Sequence, residues 1–165
     1  THQNKINEYL GLLKKTDTAL ISEAGCPCVA DPGADLVSLA HQNGVKIIPL
    51  VGPTAIILAL MASGLNGQNF AFNGYLPKER KEKIQKIKML QERSKKEGQT
   101  QIFMETPYRN QNMLEDILLS CDDKIRLCVA FDITGSCEMI QTKSIKEWKS
   151  NPYHLDKKPA LFLVG

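Results

Sequence analysis

Several polar side chains follow apolar segments directly, at positions where α/β proteins often place functional groups. Glu105 comes after the apolar segment TQIFM and is followed by Tyr108 and Arg109. Asp132 and Thr134 come in the same way after RLCVAF. A carboxylate can accept a proton and a guanidinium can hold a phosphate, so these positions suit acid–base chemistry or anion binding. Helix capping and ion pairing are the more frequent roles of such residues and stay open as alternatives.

A second candidate is the glycine-containing segment 23–33 (EAGCPCVADPG). Its eleven residues exceed the ~2–6 that commonly join a strand to a helix. Two glycines, two prolines and small side chains would let its backbone approach a ligand closely. The segment does not match the P-loop and lacks the G-x-G-x-x-G of a dinucleotide site. A small-molecule pocket and an oversized structural loop are therefore equally favoured.

The elements that position these residues are predicted from the apolar pattern. A helix over residues 5–15 is followed by strands over 18–22 and 45–50, which lead into helices over Ala34–Gln42 and 54–63. Strands that alternate with helices favour parallel βαβ units. Residues 65–67 and 70–77 interrupt the alternation and indicate a domain junction. The second half, predicted to be less purely parallel, has helices over 78–96, 107–120 and 144–149 and strands over 100–104, 125–131, 137–142 and 159–164.

Three predicted strand-to-helix junctions share a capping residue followed by proline: Asp31-Pro32, Gly52-Pro53 and Thr106-Pro107. Asp, Gly and Thr cap helices well, and proline suits the first helical position because its missing N–H has no partner there. Such junctions lie at the carboxyl edge of an open α/β sheet, where ligands usually bind. The pattern therefore predicts a ligand site lined by these three loops.

The positive charge is concentrated in one segment. The chain has a formal net charge of +3, whereas residues 74–100 alone carry nine positive and four negative side chains. An apolar stripe at helical spacing runs through the segment, which predicts a helix with a charged face. A solvated surface and a phosphate-binding surface are the two interpretations. The nine cations are Lys78, Arg80, Lys81, Lys83, Lys86, Lys88, Arg93, Lys95 and Lys96.

Other features exclude several classes of protein. The longest apolar run, residues 55–62, is far shorter than the ~20 residues of a membrane span. Five cysteines without zinc-like spacing to the three histidines indicate free thiols in a reducing cytoplasm and no metal site. The nucleophile motifs G-x-S-x-G and H-E-x-x-H are absent. From the residues alone, the sequence is that of a cytoplasmic α/β ligand-binding protein.

Four motifs in order resemble the tetrapyrrole methylase superfamily. Residues 19–37 (ALISEAGCPCVADPGADLV) are similar to its A-L-I-S-D-A-G-T-P-x-x-x-D-P-G signature. Residues 47–65 (IIPLVGPTAIILALMASGL) resemble the P-x-x-G-P-[ST]-A segment and the helix that ends in S-G-L. Residues 70–83 (FAFNGYLPKERKEK) and 102–118 (IFMETPYRNQNMLEDIL) resemble F-x-F-x-G-F-L-P with its basic run and I-F-x-E-S-P-x-R…L-E-D. Within the superfamily, the resemblance is to the branch that methylates ribose 2′-hydroxyls of small-subunit ribosomal RNA.

The resemblance implies two α/β domains with S-adenosylmethionine in the cleft between them, and a homodimer. Residues 1–69 would form the remainder of the first domain, whose initial strand and glycine-rich loop would precede Thr1, and residues 70–165 the second domain. Carried over position by position, the cofactor-binding residues would be Ala24, Gly25, Cys26, Val29, Thr54, Ala55, Met104, Ala130, Pro159 and Ala160.

Methyl transfer to a ribose requires positioning and removal of the hydroxyl proton, for which Glu105 and Arg109 are the catalytic candidates. The basic segment would guide RNA, with Lys81, Lys83, Lys86 and Lys88 as test positions. Where the ribosomal branch has A-R-E-L-T-K, residues 130–135 read AFDITG and lack both cations. Methylation of a small tetrapyrrole-like molecule and a non-catalytic paralogue that binds RNA or protein are therefore the alternatives.

Overall fold

The computed structural model describes residues 2–151 and 153–165, with side chains described from Glu8 onward. The chain divides into two compact units, Thr1–Thr54 and Ala55–Gly165. This division into compact units does not test the predicted domain boundary between residues 69 and 70, which stays a prediction. No helix among the described residues has both the length and the apolar character needed to cross a bilayer.

The first unit contains two helices, α1 (His2–Leu13) and α2 (Ala34–Gln42), which contact each other. Helix α2 has the predicted bounds. The strands predicted over residues 18–22 and 45–50 are wrong, because both segments lack regular secondary structure. A strand needs a neighbour that bonds its backbone N–H and C=O groups, and the described residues of the first unit contain no strand to supply one. Several of the apolar side chains in these segments, such as Ile21 and Leu50, are exposed.

The second unit is built on a five-stranded mixed sheet in the order β1-β2-β5-β3-β4. Strands β1 and β2 are parallel, and the other three pairings are antiparallel. This confirms the prediction that the second half of the chain is not purely parallel. Strand β1 occupies most of the segment interpreted as a domain junction. The strands are β1 (Phe70–Tyr75), β2 (Thr100–Glu105), β3 (Arg126–Phe131), β4 (Met139–Ser144) and β5 (Ala160–Val164).

Helices cover both faces of this sheet. Helix α3 (Ala55–Ser63) packs on one face, and α4 (Arg80–Glu97), α5 (Asn110–Ser120) and α6 (Ile145–Ser150) pack on the other. The central strand β5 is buried along its whole length, so its side chains enter the two cores alternately. This explains its uninterrupted apolar sequence, ALFLV, since a strand covered on both faces needs no polar side.

Several of these helices begin and end at residues that the local sequence identifies. Helix α4 begins after Glu79, which accepts a hydrogen bond from the N–H of Lys81, and ends at Gly98 in the left-handed conformation. Thr106-Pro107 begins a 3-10 turn (Pro107–Arg109) that leads into α5, as predicted, but the Thr106 hydroxyl donates to Glu105 Oε1 and makes no capping bond. The predicted caps Asp31-Pro32 and Gly52-Pro53 are wrong. Helix α2 starts only after the chain turns at Gly33, and the backbone stays irregular up to Ala55.

Candidate functional site

Most of the predicted site residues of the second unit lie together at one end of the sheet. Met104 and Ala130 are both in register with Leu161, so the three form one row across β2, β5 and β3. Glu105 and Ala160 belong to the next row at the very edge. The register thus brings together four of the predicted residues, and Pro159 directly precedes this edge. All three strand-to-helix junctions were predicted to lie at the carboxyl edge of a sheet. The prediction is confirmed for Thr106-Pro107, which follows β2, and it is wrong for the two junctions of the first unit, which follow no strand.

Glu105 and Arg109 form an ion pair at this edge, in which the carboxylate is buried and the arginine is partly exposed. The Glu105 side chain is 1% exposed, and its Oε1 accepts hydrogen bonds from Arg109 Nε at 3.0 Å and Nη2 at 2.6 Å. The backbone N–H of Thr106 donates to the same oxygen at 2.7 Å. Arg109 remains 33% exposed. The carboxylate therefore fixes the orientation of the guanidinium of a partly exposed arginine through Nε and Nη2.

Asp132 and Lys158 form a second ion pair. The sequence indicated Asp132 as a candidate, but it did not indicate Lys158. Lys158 Nζ lies 2.7 Å from Asp132 Oδ2, and the N–H of Cys137 donates to the same oxygen at 3.0 Å. The pKa of Asp132 is lowered, first by Lys158 and then by the Cys137 N–H. The hydrogen bond to Asp132 raises the pKa of Lys158. The Asp132 N–H donates to the Pro159 carbonyl at 2.9 Å, so the loop after β3 is held against the start of β5.

Asn110 connects the start of α5 to the same point. Its side chain is fully buried, and Nδ2 donates to the Lys158 carbonyl at 2.6 Å. Its Oδ1 is buried without a hydrogen-bond partner among the described residues. The segments that carry Arg109, Asp132 and Pro159 are thus tied together around Lys158. The only sequence signal for a role of Lys158 was its position directly before the predicted residue Pro159. The partners of Lys158, Asp132 and Asn110, lie far from it in the sequence.

In the first unit, the structure brings the 23–33 segment against the chain before Thr54. The Cys26 thiol donates to the Pro53 carbonyl at 3.3 Å. Gly25 has a φ of +79°, and a Cβ added there would lie 3.8 Å from the same oxygen. Of the other predicted residues, Ala24 donates through its N–H to Ser22 Oγ at 3.2 Å, and Val29 closes a turn back to Cys26. Ala55 is the first residue of α3 in the second unit.

The charges on α4 are divided between paired and unpaired lysines. Arg80 Nε and Lys83 Nζ both contact Asp116 of α5, at 2.8 Å and 2.7 Å, and Lys83 is only 7% exposed. The prediction that Lys83 lies on the phosphate-binding face is therefore wrong, since its ammonium is buried in an ion pair. Lys95 bonds Asp122, which raises the pKa of Lys95 and lowers that of Asp122. Within the described side chains, the α4 lysines without a carboxylate partner are Lys81, Lys86, Lys88 and Lys96.

The chain is similar to curated proteins and to solved structures. It is 40% identical over 136 residues to "Ribosomal RNA small subunit methyltransferase I" of Vibrio cholerae, a match that covers 82% of this chain and 46% of that protein. The chain thus spans about half the length of the curated relatives it matches. A scan against protein-family models finds no match.

The structural similarity extends over almost the whole chain. The crystal structure of the methyltransferase CobJ has a TM-score of 0.60 at 16% identity and matches 98% of this chain and 70% of its own. The uroporphyrin-III C-methyltransferase of Thermus thermophilus, complexed with S-adenyl homocysteine, has a TM-score of 0.53 at 18% identity and matches 99% of this chain and 72% of its own. At these identities the similarity shows the fold alone, and the fold is that of the tetrapyrrole methylases.

Proposed function

Since the chain belongs to the tetrapyrrole methylase superfamily, we propose that it acts as an S-adenosylmethionine-dependent methyltransferase on a ribose 2′-hydroxyl of small-subunit ribosomal RNA. The observation that carries this proposal is the 40% identity to the Vibrio cholerae relative across most of the chain. The sheet edge with Glu105, Arg109 and the small residues Ala130 and Ala160 is the proposed site in the second unit.

The residues at this edge fit a nucleoside cofactor. Ala130 lies beside the half-buried Met104 on the sheet face that carries α3, whereas Ala160 belongs to the next row and points to the opposite face. Both alanines place no long side chain at the strand ends, which supports a ligand that closely approaches this edge. In the first unit, Gly25 lies close to the Pro53 carbonyl, where the absence of a side chain leaves the backbone accessible. In the second unit, the proposed cofactor contacts are Ala55, Met104, Ala130, Pro159 and Ala160. In the first unit, the proposed contacts are Ala24, Gly25, Cys26, Val29 and Thr54. When bound, S-adenosylmethionine supplies a methyl group on a positively charged sulfonium.

The two catalytic candidates have different tasks. Arg109 offers its outer guanidinium to a phosphate or to the ribose oxygen, in an orientation fixed by Glu105. Among the described residues, every hydrogen bond that the Glu105 carboxylate accepts ends on Oε1. We assign its second oxygen, Oε2, as the acceptor of the hydroxyl proton. A Glu105→Gln variant that turns over normally would refute this assignment.

The unpaired lysines of α4 form the proposed entry surface for RNA. Lys81, Lys88 and Lys96 recur at spacings of seven and eight residues and therefore lie along one exposed side of the helix. Clustered cations bind nucleic acid by displacing its counterions. A homodimer and a cytoplasmic location complete the proposal and rest on the family resemblance and on the unpaired cysteines.

The deciding experiment uses cofactor with a labelled methyl group and offers total RNA and a small-molecule extract side by side. Label that enters RNA supports the proposal. Label that enters small molecules instead favours the tetrapyrrole-like alternative, consistent with the missing cations at residues 131–135. If no label is transferred although RNA binds, the protein is a non-catalytic paralogue. Calorimetry with S-adenosylhomocysteine shows independently whether the cofactor binds.

A further inference from the structure

A cleft opens beside the candidate site, between the 3-10 turn at Pro107–Arg109 and the segment that leads into β5. Its volume is about 370 Å³. Its two walls are joined by the side chain of Gln111, whose Oε1 accepts the N–H of Leu155 at 3.0 Å. The Nε2 of the same Gln111 side chain donates to Glu115 Oε1 at 2.9 Å. Because this bridge forms within the protein, the cleft exists before any ligand enters.

The cleft presents an aromatic ring with a cation beside it. Tyr108 is 79% exposed, and Lys157 Nζ lies 5.7 Å from the centroid of its ring. His154 and Asp156 are exposed at the rim. An exposed ring face stacks readily on another flat ring, and a lysine at this position attracts a phosphate. This combination matches a nucleobase attached to a charged backbone.

The position of the cleft agrees with a substrate role. Tyr108 directly precedes Arg109, and Lys157 directly precedes Lys158, which holds the loop after β3. Helix α4 begins after β1 at the same edge of the sheet, since β1 and β2 are parallel. A strand of RNA lying along the unpaired lysines of α4 therefore reaches this edge.

We propose that the cleft binds one unpaired nucleobase of the RNA, stacked on Tyr108, with Lys157 paired to a neighbouring phosphate. The inference rests on the proposed function and adds a subsite to it. The base held here would set which ribose lies beside Arg109. Stacking is tolerant of base identity, so this subsite positions the strand without selecting its sequence.

The test measures fluorescence anisotropy of a labelled single-stranded RNA of about 12 nucleotides, a length within the usual range of single-strand sites. Loss of the ring in Tyr108→Ala should weaken binding about 5- to 150-fold, and Tyr108→Phe should bind almost as well as the unchanged protein. Tyr9→Ala, which removes an exposed tyrosine from α1, is the matched control. The salt dependence should stay the same in Tyr108→Ala and become shallower in Lys157→Ala, since only the second change removes a phosphate contact.

An RNA of the same length without bases separates stacking from other contacts, because Tyr108→Ala should not weaken its binding. The proposal is overturned if Tyr108→Ala binds the normal RNA unchanged, if it loses equal affinity for both RNAs, or if the unchanged protein binds neither. It is also overturned if Tyr108→Ala weakens S-adenosylhomocysteine instead of RNA, since the cleft would then hold the cofactor's adenine. A protein that stacks RNA on Tyr108 but transfers no methyl group would refute the proposed function and leave this subsite intact.

Discussion

Replacing Asp116 by alanine should destabilise the second unit strongly. The Asp116 side chain is 3% exposed and contacts both Lys83 Nζ and Arg80 Nε. Its removal leaves the ammonium of Lys83 buried without a partner, whereas Arg80 is 67% exposed and can turn into water. Breaking a buried pair by removing one partner costs about 3–5 kcal/mol of unfolding free energy.

Urea denaturation monitored by tryptophan fluorescence measures this cost. Trp148 is the single tryptophan of the chain, is fully buried in the second unit, and donates through Nε1 to the Leu127 carbonyl at 2.9 Å. With a urea m-value of about 1–3 kcal/mol/M, the midpoint should fall by at least about 1 M.

Two control variants separate burial from charge. The double change Lys83→Met and Asp116→Leu removes both charges and should recover most of the stability, because apolar pairs of similar volume often replace buried ion pairs without loss. Asp122→Ala breaks an exposed pair with Lys95 and should leave the midpoint almost unchanged. If Asp116→Ala costs less than about 1 kcal/mol, the value typical of exposed pairs, the ammonium of Lys83 is hydrated and the assignment of this lysine to the interior is wrong.

Three further predictions concern charge and burial. Lys158 holds the pKa of Asp132 below its ordinary value, so this pair stabilises the fold at pH values above about 4 and loses its effect as the pH falls through the lowered pKa. Urea midpoints of Lys158→Met should therefore lie below those of the unchanged protein at neutral pH and converge with them in acid. Lys88→Glu should weaken RNA binding and reduce the salt slope, as measured by anisotropy at several salt concentrations, whereas Lys146→Glu on α6 should not. Burial raises the pKa of the Cys121 thiol to about 11, so mass spectrometry should find it alkylated far more slowly than an exposed cysteine at neutral pH.

A specific experimental result would contradict each of these three predictions. A Lys158→Met curve parallel to the wild type at all pH values would show that the pair with Asp132 does not form. Equal effects of Lys88→Glu and Lys146→Glu would make α4 an ordinary solvated surface. Alkylation of Cys121 as fast as that of the exposed Cys137 would contradict its position in the core.

The sheet of the second unit follows from sequence patterns to a large extent. The run ALFLV predicted β5, and the Thr106-Pro107 pair predicted the turn after β2, because both signals are local. The apolar runs at residues 18–22 and 45–50 carry the same kind of signal but form no strand. Apolar pattern indicates a tendency to be buried, and it contains no information on whether a hydrogen-bonding neighbour is present.

The site was predictable where its contacts are close in sequence. Glu105 and Arg109 are four residues apart, so ion pairing was an open alternative from the start. Lys83 shares a helix face with the buried Ile87, but its partner Asp116 belongs to another helix. The pairing of Lys158 with Asp132 and the bond from Asn110 to the Lys158 carbonyl also join distant segments. Such contacts depend on the strand order, which single-sequence patterns do not determine.

The most direct test of the central claim is the chemical identity of the methylated product. RNA labelled by the protein and S-adenosylmethionine would be digested to nucleosides and analysed by mass spectrometry. The account predicts a 2′-O-methylnucleoside, formed by the unchanged protein and strongly reduced in Glu105→Gln. Methyl groups on the bases, or on small molecules with none on RNA, would contradict it.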